Sequence, residues 1–176
     1  MSTSVLVAFA TTHGSTQQAA EFVATILREH HLNVDVQAAA DIKTLDSYDA
    51  VVLGAPIYVG SLHGEAKKFL RQKQSELESR PVALFVLGPV QDVPEEMDGA
   101  KEQLAKNLEK FPWLSPVSIE VFIGAIPKEN LRFPYNLLPA LRELTTGDQR
   151  DWDAMRAWAD QLPTLLANEN TPAAKI

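Results

Sequence analysis

The chain has 176 residues, a formal net charge of −7 and no cysteine. This length suits one domain with a well-buried core. The lack of cysteine excludes a disulfide framework, a thiol nucleophile and a cysteine-ligated iron–sulfur cluster. The acidic balance argues against a nucleic-acid partner, which needs a basic face. Because the longest apolar runs are strand-length and the N-terminus lacks the basic region of a cleavable signal, we expect a cytoplasmic protein with no transmembrane segment.

The segment from Val5 to Thr16 is the most informative part of the sequence. It begins with an apolar run, Val5 to Ala10, without polar alternation, which is typical of a central strand covered on both faces. A loop rich in hydroxyl groups follows, at the junction with a predicted helix, and consists of Thr11, Thr12, His13, Gly14, Ser15 and Thr16. Because the first N–H groups of a helix lack partners and its dipole favours an anion, we predict that this loop binds a phosphate. The alternative is a Ser/Thr-rich helix cap without a ligand.

The composition of this loop restricts the kind of phosphate. It lacks the Gly-x-x-x-x-Gly-Lys-Ser/Thr pattern of nucleoside triphosphate sites and the Gly-x-Gly-x-x-Gly pattern of dinucleotide sites. No Lys or Arg stands between Val5 and Gln17, and His13 is the one titratable group there that can carry a positive charge. Neutral hydroxyl and backbone donors suit a monophosphate that is bound but not transferred.

Four further strands are predicted downstream, and they alternate with helices. Residues 32–37 alternate apolar and polar side chains, which indicates a half-exposed edge strand. The other predicted strands, of which the first two are fully apolar, are residues 50–55, 82–87 and 117–126. The side chains of the adjacent His30 and His31, at the end of the first helix, diverge, so we predict no metal site there.

These elements predict an α/β fold in a single domain over residues 1–167. The expected architecture is a doubly wound, five-stranded parallel sheet of order 2-1-3-4-5, with helices on both faces. In such a sheet, ligands bind at the carboxyl ends of the strands, near the switch point between strands one and three. Three loops are expected to meet there, at residues 11–16, 56–63 and 88–94.

A long connection follows the fifth strand. Residues 127–147 form an insert where such a connection usually needs about 2–6 residues, and the insert is too apolar for a solvated linker. Its alternative roles are a short helix packed on the sheet edge, a lid over the ligand site, or a contact between the subunits of a homo-oligomer. A closing helix is predicted near Asp151 to Leu166 with its apolar face in the core, and residues 168–176 are predicted to be a disordered tail.

Together these residues resemble the flavodoxin superfamily across the whole chain. Thr11 to Thr16 is similar to its phosphate loop, Ser/Thr-x-Thr-Gly-x-Thr, with His13 in place of the usual second phosphate-binding threonine. The segment Gly54 to Gly60, His63 after it, and the closing Gly147-Asp148-x-Arg150-Asp151-Trp152 resemble the branch that includes the menaquinone-dependent protoporphyrinogen dehydrogenases.

The resemblance implies that flavin mononucleotide (FMN) is the cofactor, with its phosphate in the loop of residues 11–16. It also implies an isoalloxazine ring between the second and third loops, with Tyr58 or Ile57 against one face and the backbone from Leu87 to Asp92 near the ring edge. Gly60 is the candidate for a flexible peptide beside flavin N5. The candidate cofactor residues outside the first loop are Pro56, Ile57, Tyr58, Val59, Gly60, Leu87, Gly88, Pro89, Val90 and Asp92. Because the third loop has no Tyr or Trp, a flavin stacked between two aromatic rings is not expected.

Three functions are compatible with this resemblance. The first is an FMN-dependent oxidoreductase that passes electrons between a small organic substrate and a quinone-like acceptor, similar to protoporphyrinogen oxidation. The second is an electron-carrier flavodoxin that docks on a redox protein, which the acidic charge favours. The third is an interaction module without a cofactor, which the unusual His13 favours. The sequence favours the enzyme, because the apolar insert can cover a substrate; the few basic residues of the insert indicate an apolar, weakly charged one.

Overall fold

The computed structural model describes residues 2–89, 94–125 and 150–167, together with Ala174. The strands are β1 (Ser4–Phe9), β2 (Asn33–Ala38), β3 (Ala50–Tyr58), β4 (Ser61–Leu62), β5 (Val82–Leu87) and β6 (Ser118–Phe122). The helices are α1 (Ser15–Glu29), α2 (Gly64–Gln72), α3 (Gln74–Leu77), α4 (Pro94–Leu108), α5 (Trp152–Ala159) and α6 (Leu162–Ala167), with a 3₁₀ turn at Ala39–Asp41. Within these ranges, no helix is both long and apolar enough to cross a bilayer. The predicted insert and, apart from Ala174, the predicted tail lie outside the described residues.

Five of the strands form a parallel sheet in the order β2-β1-β3-β5-β6. Without the short β4, this is the predicted order 2-1-3-4-5, so the predicted fold class is confirmed. β4 pairs antiparallel with the end of β3 and lies off the path of the parallel sheet. The sequence does not predict β4, because two residues are too few to show an alternating pattern.

The central strands alternate between two apolar cores, one on each face of the sheet. In β1, Val5 and Val7 face α1, α5 and α6, whereas Leu6 and Ala8 face the side of α2, α3 and α4. All four are fully buried, as the uninterrupted apolar run predicts. The burial of β2 alternates only at its start, which agrees with its place at the sheet edge.

The closing segment forms two helices instead of the single one predicted near Asp151 to Leu166. α5 begins with the side chain of Asp151 as its N-cap. After α5 the helical ladder breaks, because the Gln161 N–H donates to Trp158 O, only three residues back. Pro163 has no N–H with which to resume the ladder, so α6 is a separate helix. The prediction of one continuous helix was therefore wrong, although its apolar face lies in the core as expected.

The last strand is shorter than the predicted residues 117–126. After Phe122 the backbone turns toward the third loop, where the Gly124 N–H donates to Pro89 O at 2.8 Å. A Cβ added to Gly124 would lie 3.0 Å from Gly88 O, so this close approach favours a glycine. The end of β6 is thereby attached to the loop that follows β5.

Candidate functional site

The predicted phosphate loop connects β1 to α1 at the carboxyl edge of the sheet. Gly14 is the N-cap of α1, with a φ of +86° in the left-handed region that favours glycine. Its N–H donates to Thr11 Oγ1 at 2.9 Å, which closes the loop upon itself. Among the described residues, no side chain caps the first turn of α1. The first N–H groups of the helix therefore have no side-chain acceptor in this part of the chain, which is the condition that an anion site at a helix start requires.

Thr16 carries an unusual hydroxyl group in the first turn of α1. The residue is 0% exposed, and its Oγ1 is buried with no hydrogen-bond partner among the described residues. A buried hydroxyl without a partner costs about 1–3 kcal/mol, and a helical threonine usually avoids this cost by bonding a carbonyl one turn back. Such an exception in a native fold needs an explanation, and a ligand that accepts a hydrogen bond from Thr16 provides one.

A side-chain hydrogen bond joins the phosphate loop to the second loop. His63 caps α2 through Nδ1, which accepts from the Glu65 N–H at 3.3 Å. The proton of the neutral ring is therefore on Nε2, which lies 2.9 Å from Thr12 Oγ1 and donates to it. Burial lowers the pKa of His63, which favours this neutral form. Because Thr12 accepts from His63, its own hydroxyl hydrogen is left to donate elsewhere.

A buried arginine lies behind the phosphate loop. Arg150 is 8% exposed. Its guanidinium donates to Ser15 O at 2.8 Å and to Gln18 Oε1 at 2.7 Å. The sequence predicts neutral donors and, as the one titratable cation, His13 within residues 5–17; that describes the loop itself but misses Arg150. The signal in the sequence was the closing motif around Arg150, whose spatial position the chain order does not reveal.

The second loop is a tight hairpin between β3 and β4. Tyr58 pairs with Ser61, and the two central residues have positive φ values, +47° for Val59 and +76° for Gly60. This is the pattern of a type I′ turn, for which glycine is suited and valine is not. Left-handed geometry costs a residue such as Val59 about 1–2 kcal/mol. Val59 is also 94% exposed, so an apolar side chain stands at the tip of this loop.

Asn107 of α4 holds this hairpin in place. It is 5% exposed. Its Oδ1 accepts from the Leu62 N–H at 3.1 Å, and its Nδ2 donates to Gly60 O at 3.0 Å and to Gln103 O at 2.7 Å. A two-residue strand pairing is marginal by itself. The position of the second loop therefore depends on Asn107, a residue that the sequence pattern marks only as one polar position of an amphipathic helix.

Replacing Asn107 by Ala should lower the free energy of unfolding by about 2–3 kcal/mol, because the buried Leu62 N–H and Gly60 carbonyl lose their partner. Urea-induced unfolding measures this change. Asn33→Ala is the control, since Asn33 is exposed and makes one long side-chain bond, 3.4 Å from Ser4 Oγ. Equal stabilities of the two variants would show that Asn107 does not hold the hairpin.

The third loop begins where β5 ends. Leu87 lies directly beside Pro56 in the parallel register, and the Gly88 N–H donates to Phe122 O at 2.9 Å. The side chains of Ile57 and Leu87 are buried in the core, whereas that of Tyr58 is half-buried. Val90 and Asp92, two of the predicted cofactor residues, lie outside the described residues.

The structure brings the first and second loops together. Besides the bond between Thr12 and His63, the ring of Tyr58 lies 6.4 Å from that of His13 and 6.5 Å from that of His63, measured between centroids. The described ranges contain no group of three or more His, Cys, Asp or Glu side chains suited to a metal ion. The arrangement therefore offers hydroxyl groups and backbone N–H groups at a helix start, with aromatic and apolar side chains beside them.

Comparison with known proteins relates most of the chain to a family. Residues 6–148 match the family model described as "Flavodoxin domain". The chain is 28% identical over 131 residues to a protoporphyrinogen IX dehydrogenase [quinone] of Escherichia coli K12, covering 73% of this chain and 70% of that one. It is 28% identical over 177 residues to a protein of the same name from Leishmania major, covering 91% and 74%. The oxidised flavodoxin 1 of Bacillus cereus is a structural neighbour with a TM-score of 0.58 at 20% identity, covering 92% and 98%.

Proposed function

Because the chain belongs to the flavodoxin domain family, which implies a flavin, we propose that it is an oxidoreductase that binds FMN and passes electrons to a quinone-like acceptor. Bound FMN supplies the redox chemistry at its isoalloxazine ring, and the protein positions the ring and sets its surroundings. The Oγ1 of Thr16, buried and without a partner in the part of the chain that the structure describes, is the observation that carries the choice of a phosphorylated flavin.

The residues of the first loop fit a flavin phosphate. Thr16 Oγ1 and the hydroxyl of Thr12 are hydrogen-bond donors, and the first N–H groups of α1 carry the positive end of the helix dipole. The residues that would hold the phosphate are Thr11, Thr12, His13, Gly14, Ser15 and Thr16. Charge-assisted bonds of this kind contribute about 1.5–3 kcal/mol each.

The second and third loops would hold the ring. Tyr58 and the exposed Val59 present apolar surface at the tip of β3, and Gly60 presents a backbone peptide beside them. Gly88 and Pro89 would approach the ring edge from the neighbouring strand. Asn107 would keep the second loop at a fixed distance from the ring, since it binds Gly60 O.

The proposed acceptor is a quinone, which the printed names of two relatives support. Residues 127–147 would shape the substrate side, as a lid or as a subunit contact. Their sequence holds three basic residues against two acidic ones, Lys128, Arg132 and Arg142 against Glu129 and Glu143. This near-neutral, apolar composition suits a quinone better than a substrate with several carboxylates.

We expect the FMN-loaded protein, once reduced anaerobically, to be reoxidised by a water-soluble quinone faster than free reduced FMN at the same concentration. The physical reason is that a bound ring holds the quinone at a defined distance and orientation. Stopped-flow absorbance of the flavin measures the rate, with ferricyanide as a one-electron acceptor for comparison. Reoxidation by quinone no faster than that of free FMN, together with fast reaction with ferricyanide, would favour the electron carrier instead.

A further inference from the structure

We propose that Arg150 is a positioning residue for the phosphate loop and makes the protein prefer a phosphorylated flavin over riboflavin. The inference rests on the FMN-binding function proposed above and assigns to that site a residue outside the loop. Arg150 also lies beyond residues 6–148, the part of the chain that matches the family model.

The first observation is the geometry of the contact. The guanidinium of Arg150 donates to Ser15 O, the first carbonyl of α1, at 2.8 Å. A second bond of 2.7 Å reaches Gln18 Oε1, three residues further along the helix. Arg150 thus holds the first turn of α1 at two points, and this turn carries the N–H groups and the Thr16 hydroxyl that face the predicted phosphate.

The second observation is electrostatic. The start of a helix carries a partial positive charge, so a cation in the first turn works against the helix dipole. Arg150 is 8% exposed, so solvent screens the attraction between its charge and a nearby anion only weakly. An anion at the helix start would reverse the sign of the interaction, and a phosphate monoester carries close to two negative charges at neutral pH.

A third observation is independent of the arginine and points to a ligand at the same place. Thr16 is 0% exposed, and its Oγ1 has no partner among the described residues. The same helical turn therefore holds a buried hydroxyl that lacks an acceptor among the described residues, and it is bonded by a buried cation. A phosphate at the helix start would accept a hydrogen bond from the hydroxyl and be attracted by the cation.

The choice of arginine over lysine fits this role. A planar guanidinium can bond two acceptors while it stacks on an aromatic face, which an ammonium cannot do as well. The guanidinium carbon of Arg150 lies 4.4 Å from the ring centroid of Trp152, and that ring packs edge-on against Phe22 of α1 at 4.8 Å. The guanidinium is therefore held both by the ring of Trp152 and by its hydrogen bonds to the first turn of α1.

The test is a titration of FMN and of riboflavin into the full-length apo-protein, followed by flavin fluorescence. The variants are Arg150→Gln and Arg150→Lys. Arg156→Gln is the matched control, because Arg156 lies in the same segment, is lost with the same change of charge, and pairs with Glu29 at 2.8 Å on the surface. We expect Arg150→Gln to weaken FMN by about tenfold or more and riboflavin by less than about threefold, which is the loss of one charge-assisted contribution. Arg150→Lys should lie between this variant and the wild type, and Arg156→Gln should match the wild type.

Equal weakening of FMN and riboflavin in Arg150→Gln would overturn the inference, because it would mean that Arg150 only supports the fold. An effect of Arg156→Gln as large as that of Arg150→Gln would also overturn it. If Arg150→Gln does not fold, Arg150→Lys decides, since it keeps the charge and must still weaken FMN more than riboflavin. If the wild type prefers FMN and Arg150→Gln keeps the same preference, only the inference about Arg150 is refuted. If the wild type binds neither flavin, the proposed function is refuted, and the inference about Arg150 with it.

Discussion

Replacing Gly54 by Ala should lower the free energy of unfolding by about 3 kcal/mol or more, one of the largest losses expected from a single methyl group. Gly54 lies in the middle of the sheet, paired with Phe9 on one side and with Phe85 on the other. An added Cβ would lie 2.1 Å from Phe85 Cζ, well inside van der Waals contact. Phe85 is fully buried and packs edge-on against Trp158 at 5.9 Å, so its ring has little room to move. Urea-induced unfolding measures the loss.

Two further variants control this prediction. Gly99→Ala is the same substitution inside α4, where an added Cβ meets nothing within 4 Å, and it should raise the stability by up to about 1 kcal/mol. The double variant Gly54→Ala with Phe85→Leu should recover part of the loss, because the smaller side chain makes room for the methyl group. A Gly54→Ala variant as stable as the wild type would mean that Phe85 does not fill the space above Gly54.

Replacing Thr16 by Val should maintain or raise the stability of the apo-protein but lower its affinity for FMN. The substitution removes a buried hydroxyl that has no partner within the described ranges, and it keeps the shape of the side chain. The apo-protein should therefore be as stable as the wild type or more stable. FMN affinity should fall by about 10- to 100-fold, because a charge-assisted hydrogen bond to the phosphate is lost. Thermal unfolding of the apo-protein and a fluorescence titration measure the two quantities.

Thr25→Val is the control on the same helix, since Thr25 Oγ1 donates to Glu21 O at 2.9 Å on the exposed face of α1. It should leave FMN affinity unchanged. If Thr16→Val destabilises the apo-protein and leaves FMN affinity unchanged, then the Thr16 hydroxyl serves the fold and not a ligand.

The sequence predicts the sheet well because burial on both faces leaves a direct pattern. The apolar run from Val5 to Ala10 requires helices on both sides, and the alternation in residues 32–37 requires an edge. These two features place β1 in the interior of the sheet and β2 at its edge. The order of the parallel strands then follows from short, right-handed connections. The predicted ends of the strands are less accurate where a local contact decides them. At the end of β6, for example, the backbone turns away from the strand direction and the Gly124 N–H donates to Pro89 O.

Some residues of the candidate site can be predicted from the sequence and others cannot. The phosphate loop is predictable because its donors are contiguous in sequence and lie at a strand-to-helix junction. Arg150 and Asn107 are not, because each reaches the site from a distant element: Arg150 bonds Ser15, 135 positions away, and Asn107 bonds Gly60, 47 positions away. The sequence shows His63 as part of a family motif, but its bond to Thr12 forms because the fold brings the two loops together. Residue type alone does not reveal such contacts.

Titration of FMN and riboflavin into the wild-type apo-protein, followed by flavin absorbance and fluorescence, tests whether the start of α1 binds the phosphate of the flavin. We expect saturable binding of FMN at one molecule per chain, with riboflavin at least about tenfold weaker because it lacks the phosphate. Equal affinities for the two flavins, or no spectral change with either, would contradict the claim.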